Sequence, residues 1–177
     1  MTKIAVLVGS LSQASINKKL AKHLASLAPE GVEFVMADMD LPLFNYELEA
    51  DLPEKVRQLK SLVESADGVL FITPEYNRGY TAIIKNAIDW ASRPYGTNSF
   101  HGKPAAITGA SSSSLGTAQA QQQLRNVVIK LETTLMTYPE MYIDASRVFT
   151  EEGAITEGAE GIIQGFIDAV VAHVQKG

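Results

Sequence analysis

The chain has no cysteine. This excludes disulfide staples, thiol nucleophiles, iron–sulfur ligation and thiolate metal sites. It has no run approaching the roughly 18 apolar residues that a membrane-spanning helix needs. No basic leader precedes the first apolar run, so no export signal is expected and the cytoplasm is the expected compartment. There is also no excess of positive charge. A net charge of −5 argues against non-specific nucleic-acid binding. The three histidines, His23, His101 and His173, lie far apart, and no Ser–His–Asp spacing or metal-ligand cluster is visible. After the first apolar run there is neither a GxGxxG pattern nor a Walker lysine, so dinucleotide-fingerprint and P-loop sites are weak readings.

What remains is a chain built for one core. At 177 residues and 46% hydrophobic, it is long enough to bury a substantial interior, and a single domain over residues 1–177 is expected. Apolar runs alternate with segments of helical period, the pattern of repeated βα units. Strands are expected at residues 3–8, 33–36, 68–73, 104–108 and 141–143. Helices are expected at 16–27, 53–66, 81–91, 117–135 and 157–175. The last helix shows Ile162, Ile163, Phe166, Ile167, Val170 and Val174 at helical spacing. The first, third and fourth strands are continuously apolar, as strands covered on both faces are. The fold class is therefore α/β, with a parallel sheet and helices on both of its faces.

Two loops stand where an apolar strand gives way to a helix, about 65 residues apart. In an open parallel sheet, were the strand order 2-1-3-4-5, ligands would bind beyond the carboxyl ends of the first and third strands, where FMN is the usual occupant. The first loop, GSLSQASIN from Gly9, is suited to an anion. Gly9 permits a tight turn, and Ser10, Ser12 and Ser15 offer hydroxyl donors. Ile16 and Asn17 begin the helix, whose free N–H groups favour a phosphate. Ser15 alone could simply cap that helix. The second loop begins at Pro74, which ends the strand, and presents Glu75, Tyr76 and Asn77. A carboxylate, an aromatic plate and an amide suit a flat heteroaromatic ligand. Arg78 adds a cation near the mouth. Arg93 and His101 are expected on the rim, while Trp90 reads as packing.

The segments GSLSQASIN, PEYNRGYTAIIKNAIDWASRP and GASSSSLGTAQAQQQLRNVV resemble, in order and spacing, those of NAD(P)H-dependent FMN reductases. This group includes chromate and quinone reductases and some azoreductases, and the resemblance implies its fold: a flavodoxin-like three-layer sandwich with a five-stranded parallel sheet of order 2-1-3-4-5 and helices on both faces. The resemblance runs over nearly the whole chain, and the P-E-Y-N…K-N-A-I-D-W block is its most specific part. It implies that Ser10, Ser15 and Asn17 hold the phosphate of a bound FMN, and that Pro74, Glu75, Tyr76 and Asn77 border the isoalloxazine. It also implies that the loop from Ala110 to Gly116, with Ser111 and Ser112, approaches the flavin's pyrimidine end. On that reading, Asn17→Ala should cost about 1–3 kcal/mol of FMN affinity, the scale of a hydrogen bond to a charged group, with folding hardly touched.

Three positions depart from the group's usual pattern: Ser12 and Gln119 replace arginines, and Thr81-Ala82 replaces Pro-Gly. Ser12 removes a charge-assisted phosphate contact, which implies weaker FMN binding or a compensating cation.

The expected activity is oxidation of NADH or NADPH and reduction of a small-molecule acceptor: a quinone, free flavin, azo compound or metal oxyanion such as chromate. The flavin carries the chemistry, so ping-pong kinetics and no catalytic acid–base pair are expected. Two other readings are a flavodoxin-type electron carrier and a flavin-free nucleotide- or anion-binding module. Carriers tend to be strongly acidic and to have a Thr/Ser-x-Thr-Gly-x-Thr loop, and this chain has neither. No nucleic-acid or membrane partner is expected. A homodimer or homotetramer is, because relatives of this kind generally form dimers with flavins near the interface.

Overall fold

The computed structural model describes residues 1–150 and 153–177. Strand β1 (Thr2–Val8) leads to α1 (Ile16–Ser26), and β2 (Val32–Met36) leads through a long loop to α2 (Glu54–Ser65). Next come β3 (Gly68–Ile72), α3 (Ala82–Ala91), β4 (Pro104–Ser111) and α4 (Ala118–Lys130). Two short strands, β5 (Thr134–Leu135) and β6 (Tyr142–Asp144), precede the single-turn α5 (Ala145–Val148) and the long α6 (Glu157–Lys176). Every strand pair is parallel, and the order is β2-β1-β3-β4-β5, with β6 also on β4. The expected sheet order is present.

Side chains on successive strand residues point to opposite faces, and each face of the sheet has its own core. Ile4, Val6, Leu70, Ile72 and Ala106 meet Leu20 and Leu24 of α1 and Phe166, Ile167 and Val170 of α6. Ala5, Leu7, Val69, Phe71 and Ile107 meet Leu59 and Val63 of α2, Ile84 and Ile88 of α3, and Leu124 and Val128 of α4. Both faces of the central strands are buried, which is why these strands lack a polar alternation. Trp90 is fully buried, as its packing role requires, and its indole N–H donates to the Pro42 carbonyl at 2.8 Å.

Two expectations need correction. The fourth helix does not run to residue 135; it stops at Lys130, and Glu132 adopts a left-handed φ of 63°. Thr134 and Leu135 instead pair with Pro104 and Ala105. The sheet therefore has six strands, not five: β5 is additional, and the strand expected at 141–143 is present as β6. β6 pairs with Gly109, Ala110 and Ser111 at the other end of β4. The open edge of β4 needs backbone partners along its length, and this long-range demand outweighs the local helical period of residues 129–135. No helix among the described residues is long and apolar enough to cross a membrane.

Candidate active site

Parallel register places the ends of three strands side by side. Val8 pairs with Ile72, and Ile72 pairs with Thr108. The loops that follow β1, β3 and β4 therefore open onto one edge and enclose a cleft of about 300 Å³. Its walls contain Ser10, Ser12, Ser15, Ile16 and Asn17 from the first loop, Pro74, Glu75 and Tyr76 from the second, and Ser111 and Ser112 from the third. Ala14 and Ala110 complete the lining. Ala110 opens the third loop expected here, whereas Ala14 was not singled out, because an alanine in a polar loop carries no binding signal of its own.

In the first loop, Gly9 serves close approach. Its φ is not left-handed, but a Cβ there would lie 2.5 Å from the Thr81 hydroxyl oxygen and 2.9 Å from Ile84. Thr81 in turn caps α3, accepting from the Ile84 N–H at 3.5 Å. Ser15 caps α1 by accepting from the Lys18 N–H at 3.3 Å, so its capping and cleft-lining roles coexist. The N–H groups of Ile16 and Asn17 belong to the first turn, which provides them with no intrahelical acceptor.

The Asn17 side chain is not available to a ligand. It is 3% exposed; its Nδ2 donates to the Ala110 carbonyl at 2.8 Å, and its Oδ1 accepts from the Ala110 N–H at 2.9 Å. This fork ties the start of α1 to the end of β4. The expectation of a phosphate contact through the amide is corrected accordingly: what Asn17 can offer a ligand is its backbone N–H.

The second loop is a tight hairpin. The Tyr76 N–H donates to the Gly79 carbonyl at 3.0 Å, and the Gly79 N–H donates to the Tyr76 carbonyl at 2.9 Å. Asn77 and Arg78 occupy the turn with φ of 52° and 67°, the left-handed pair that a two-residue hairpin requires. Asn tolerates this conformation; Arg does so at a cost. Tyr76 stays 66% exposed beside the cleft, while Asn77 and Arg78 lie outside the cleft lining. The Glu75 carboxylate turns away from the hairpin and caps α4, accepting from the Gln119 and Ala120 N–H groups at 3.0 Å each.

In the third loop, the Ser111 hydroxyl is engaged locally, donating to the Gly116 carbonyl and accepting from the Ser113 N–H at 3.2 Å. Gly116 is outside the cleft lining. Its φ is +58°, and a Cβ there would stand 2.8 Å from the backbone of Tyr142 and Ile143. Its identity is explained by its seat against β6.

Arg93 and His101 are not on the rim of this chain's cleft. Arg93 follows α3, whose ten residues carry the chain about 15 Å back along the sheet. His101 precedes β4 and pairs with Glu132 at 2.6 Å. Both lie at the amino-terminal end of β4, and the eight residues of that strand put them roughly 20 Å or more from the cleft.

A second hollow of about 440 Å³ shares Ser10 with the cleft and lies between the ends of β1 and β2. It is on the far side of β1 from β3, away from the strand-order reversal. Lys18 lines it, and its ammonium donates to the Leu11 carbonyl at 3.0 Å, which places a cation against the serine loop. The Asp40 N–H and the Lys55 ammonium hold the nearby Asp38 carboxyl below the usual carboxylate range.

Residues 2–147 match the family described as NADPH-dependent FMN reductase. A 2-hydroxy-1,4-benzoquinone reductase from Burkholderia sp is 46% identical over 176 residues, covering 98% of this chain and 96% of that one. The structure of the flavoenzyme NAD(P)H:(acceptor) oxidoreductase FerB from Paracoccus denitrificans superimposes with a TM-score of 0.93 at 46% identity, covering 99% of this chain and 98% of that one. A mutant flavodoxin from Pseudomonas aeruginosa, 19% identical with a TM-score of 0.64 and coverage of 96% and 99%, shares the fold. With its three-loop cleft and a match over most of its length, the chain belongs to the NADPH-dependent FMN reductase family.

Proposed function

We propose that this single domain is an FMN-dependent oxidoreductase that passes electrons from NADH or NADPH to quinones and, more broadly, to free flavin, azo compounds or metal oxyanions. The observation that carries the reading is the cleft where α1 begins, with three serines on one wall and the Pro74–Tyr76 segment on another. The residues fit FMN. Ser10, Ser12 and Ser15 with the first-turn N–H groups make a donor set for a phosphate, and the Glu75 carboxylate is drawn toward α4. Exposed Tyr76 offers an aromatic wall. When bound, FMN supplies a site that accepts hydride and later gives up two electrons. In balance, the dinucleotide loses a hydride, and the quinone gains two electrons and two protons, one of them from solvent. The protein binds and orients; the shared cleft lets nicotinamide and acceptor take turns.

The first test is the absorption spectrum of the purified protein and identification of the released cofactor, followed by steady-state kinetics with a quinone. Parallel double-reciprocal lines, and less than about tenfold preference between NADH and NADPH, roughly 1.4 kcal/mol, are expected. Intersecting lines would exclude the alternating mechanism. Slow turnover with every small acceptor, but rapid transfer to a protein, would point to an electron carrier.

Lys18 supports phosphate binding in the absence of an arginine at position 12. Lys18→Ala is expected to weaken FMN binding about five- to tenfold, as expected for one partly solvated charge contact, and to flatten the salt dependence of Kd. An unchanged Kd across a salt series would remove Lys18 from the site.

Self-association belongs to the same reading. Tyr95, an aromatic side chain left 94% exposed, supports it. A dimer or tetramer is expected by sedimentation at low micromolar concentration. A fully active species at the 19.1 kDa monomer mass rules this out.

A further inference from the structure

Glu75 is the carboxylate in the cleft wall, and its placement is fixed. One oxygen, Oε2, accepts from both the Gln119 and Ala120 N–H groups at 3.0 Å, so the side chain is pinned between the β3 loop and the first turn of α4. Both of these partners are backbone amides. They hold the charge without cancelling it: a helix N-terminus presents roughly half a positive charge, against the full negative charge of a carboxylate. The residue is half-buried, which weakens solvent screening of its field. Its neighbours Pro74 and Tyr76 line the same wall.

We propose that Glu75 is an electrostatic tuning residue: its fixed negative charge beside the flavin ring keeps the midpoint potential of bound FMN low, so that the reduced cofactor gives electrons readily to quinones. The proposal rests on FMN occupying this cleft. The sign follows from charge balance. Hydride brings two electrons and one proton, so the ring gains a negative charge unless solvent supplies a second proton. A fixed carboxylate nearby disfavours that added charge. It opposes loading of the flavin and favours its discharge to the acceptor. The same carboxylate also caps α4, and two variants separate the roles. Glu75→Gln is isosteric and neutral, and its amide oxygen can still accept from α4. Glu75→Asp keeps the charge but, one methylene shorter, loosens the cap.

The test is the FMN dissociation constant in the oxidised and the dithionite-reduced states, together with the midpoint potential and the thermal midpoint of each variant. Glu75→Gln is expected to tighten binding of reduced FMN relative to oxidised FMN about tenfold, an upward shift of about 30 mV for a two-electron couple. Glu75→Asp is expected to stay within twofold of wild type in that ratio, even though it lowers the thermal midpoint more than Glu75→Gln does. In rapid mixing, Glu75→Gln should be reduced by NADH at least as fast as wild type and reoxidised by a quinone more slowly. If both variants shift the ratio alike, or Glu75→Gln binds FMN with an unaltered ratio, Glu75 is a helix cap only and the proposal falls. If wild type binds no FMN in either state, the cofactor assignment itself has failed, a result distinct from an unaltered ratio.

Discussion

Replacing Asn17 by alanine is expected to lower stability by about 2–4 kcal/mol, a far larger effect than a surface cap would show. Two hydrogen bonds are lost, each worth about 1 kcal/mol, and the Ala110 N–H and carbonyl are left without their partners in a buried setting. The strand end and the start of α1 then lose their common anchor, so FMN affinity should fall as a secondary consequence. Asn17→Asp is the informative companion. It keeps an acceptor for the Ala110 N–H but turns a second oxygen toward the Ala110 carbonyl, and so should be at least as damaging. Urea denaturation of the cofactor-free proteins checks both. A loss below about 1 kcal/mol at unchanged m-value would mean that solvent replaces the fork.

Gly116→Ala is expected to cost about 2–4 kcal/mol. A left-handed φ of +58° is unfavourable for alanine, and the added Cβ would sit 2.8 Å from the β6 backbone. Conformational strain of about 1 kcal/mol and overpacking of about 1–3 kcal/mol act together here. The obvious escape, a shift of the loop, would displace Ser111, whose hydroxyl donates to the Gly116 carbonyl. Denaturant unfolding and FMN titration should therefore change together. A variant as stable as wild type would show that the β6 contact yields at little cost.

The extent to which this structure could be read from sequence follows the range of the interactions involved. The central strands were legible because burial on both faces leaves residues such as those from Val69 to Ile72 without polar interruption. The cleft was legible too, since serines, Pro74 and Tyr76 stand at strand ends and strand order brings those ends together. Partnerships across the fold left no local mark. Asn17 is 93 residues from Ala110, and Glu75 is 44 from Gln119. Their side chains look like ligand contacts in sequence, yet they are committed to backbone. Arg93 and His101 were misplaced because proximity along the chain was read as proximity to the loop, whereas α3 runs the full depth of the sheet. The end of the fourth helix was misread for want of a Gly or Pro after Lys130. Glu132 takes the left-handed position that glycine more often fills.

The hairpin formed by Tyr76, Asn77, Arg78 and Gly79 bears on how quickly a ligand is captured. Its two reciprocal bonds close the turn without help from a ligand. Ordering a backbone residue costs about 1–2 kcal/mol in conformational entropy, so a floppy four-residue loop would charge each association about 4–8 kcal/mol. Here that cost is met once, during folding, along with the strain of holding Arg78 at φ 67°. Cofactor capture then resembles docking onto a finished surface, and association need not wait for a loop to close.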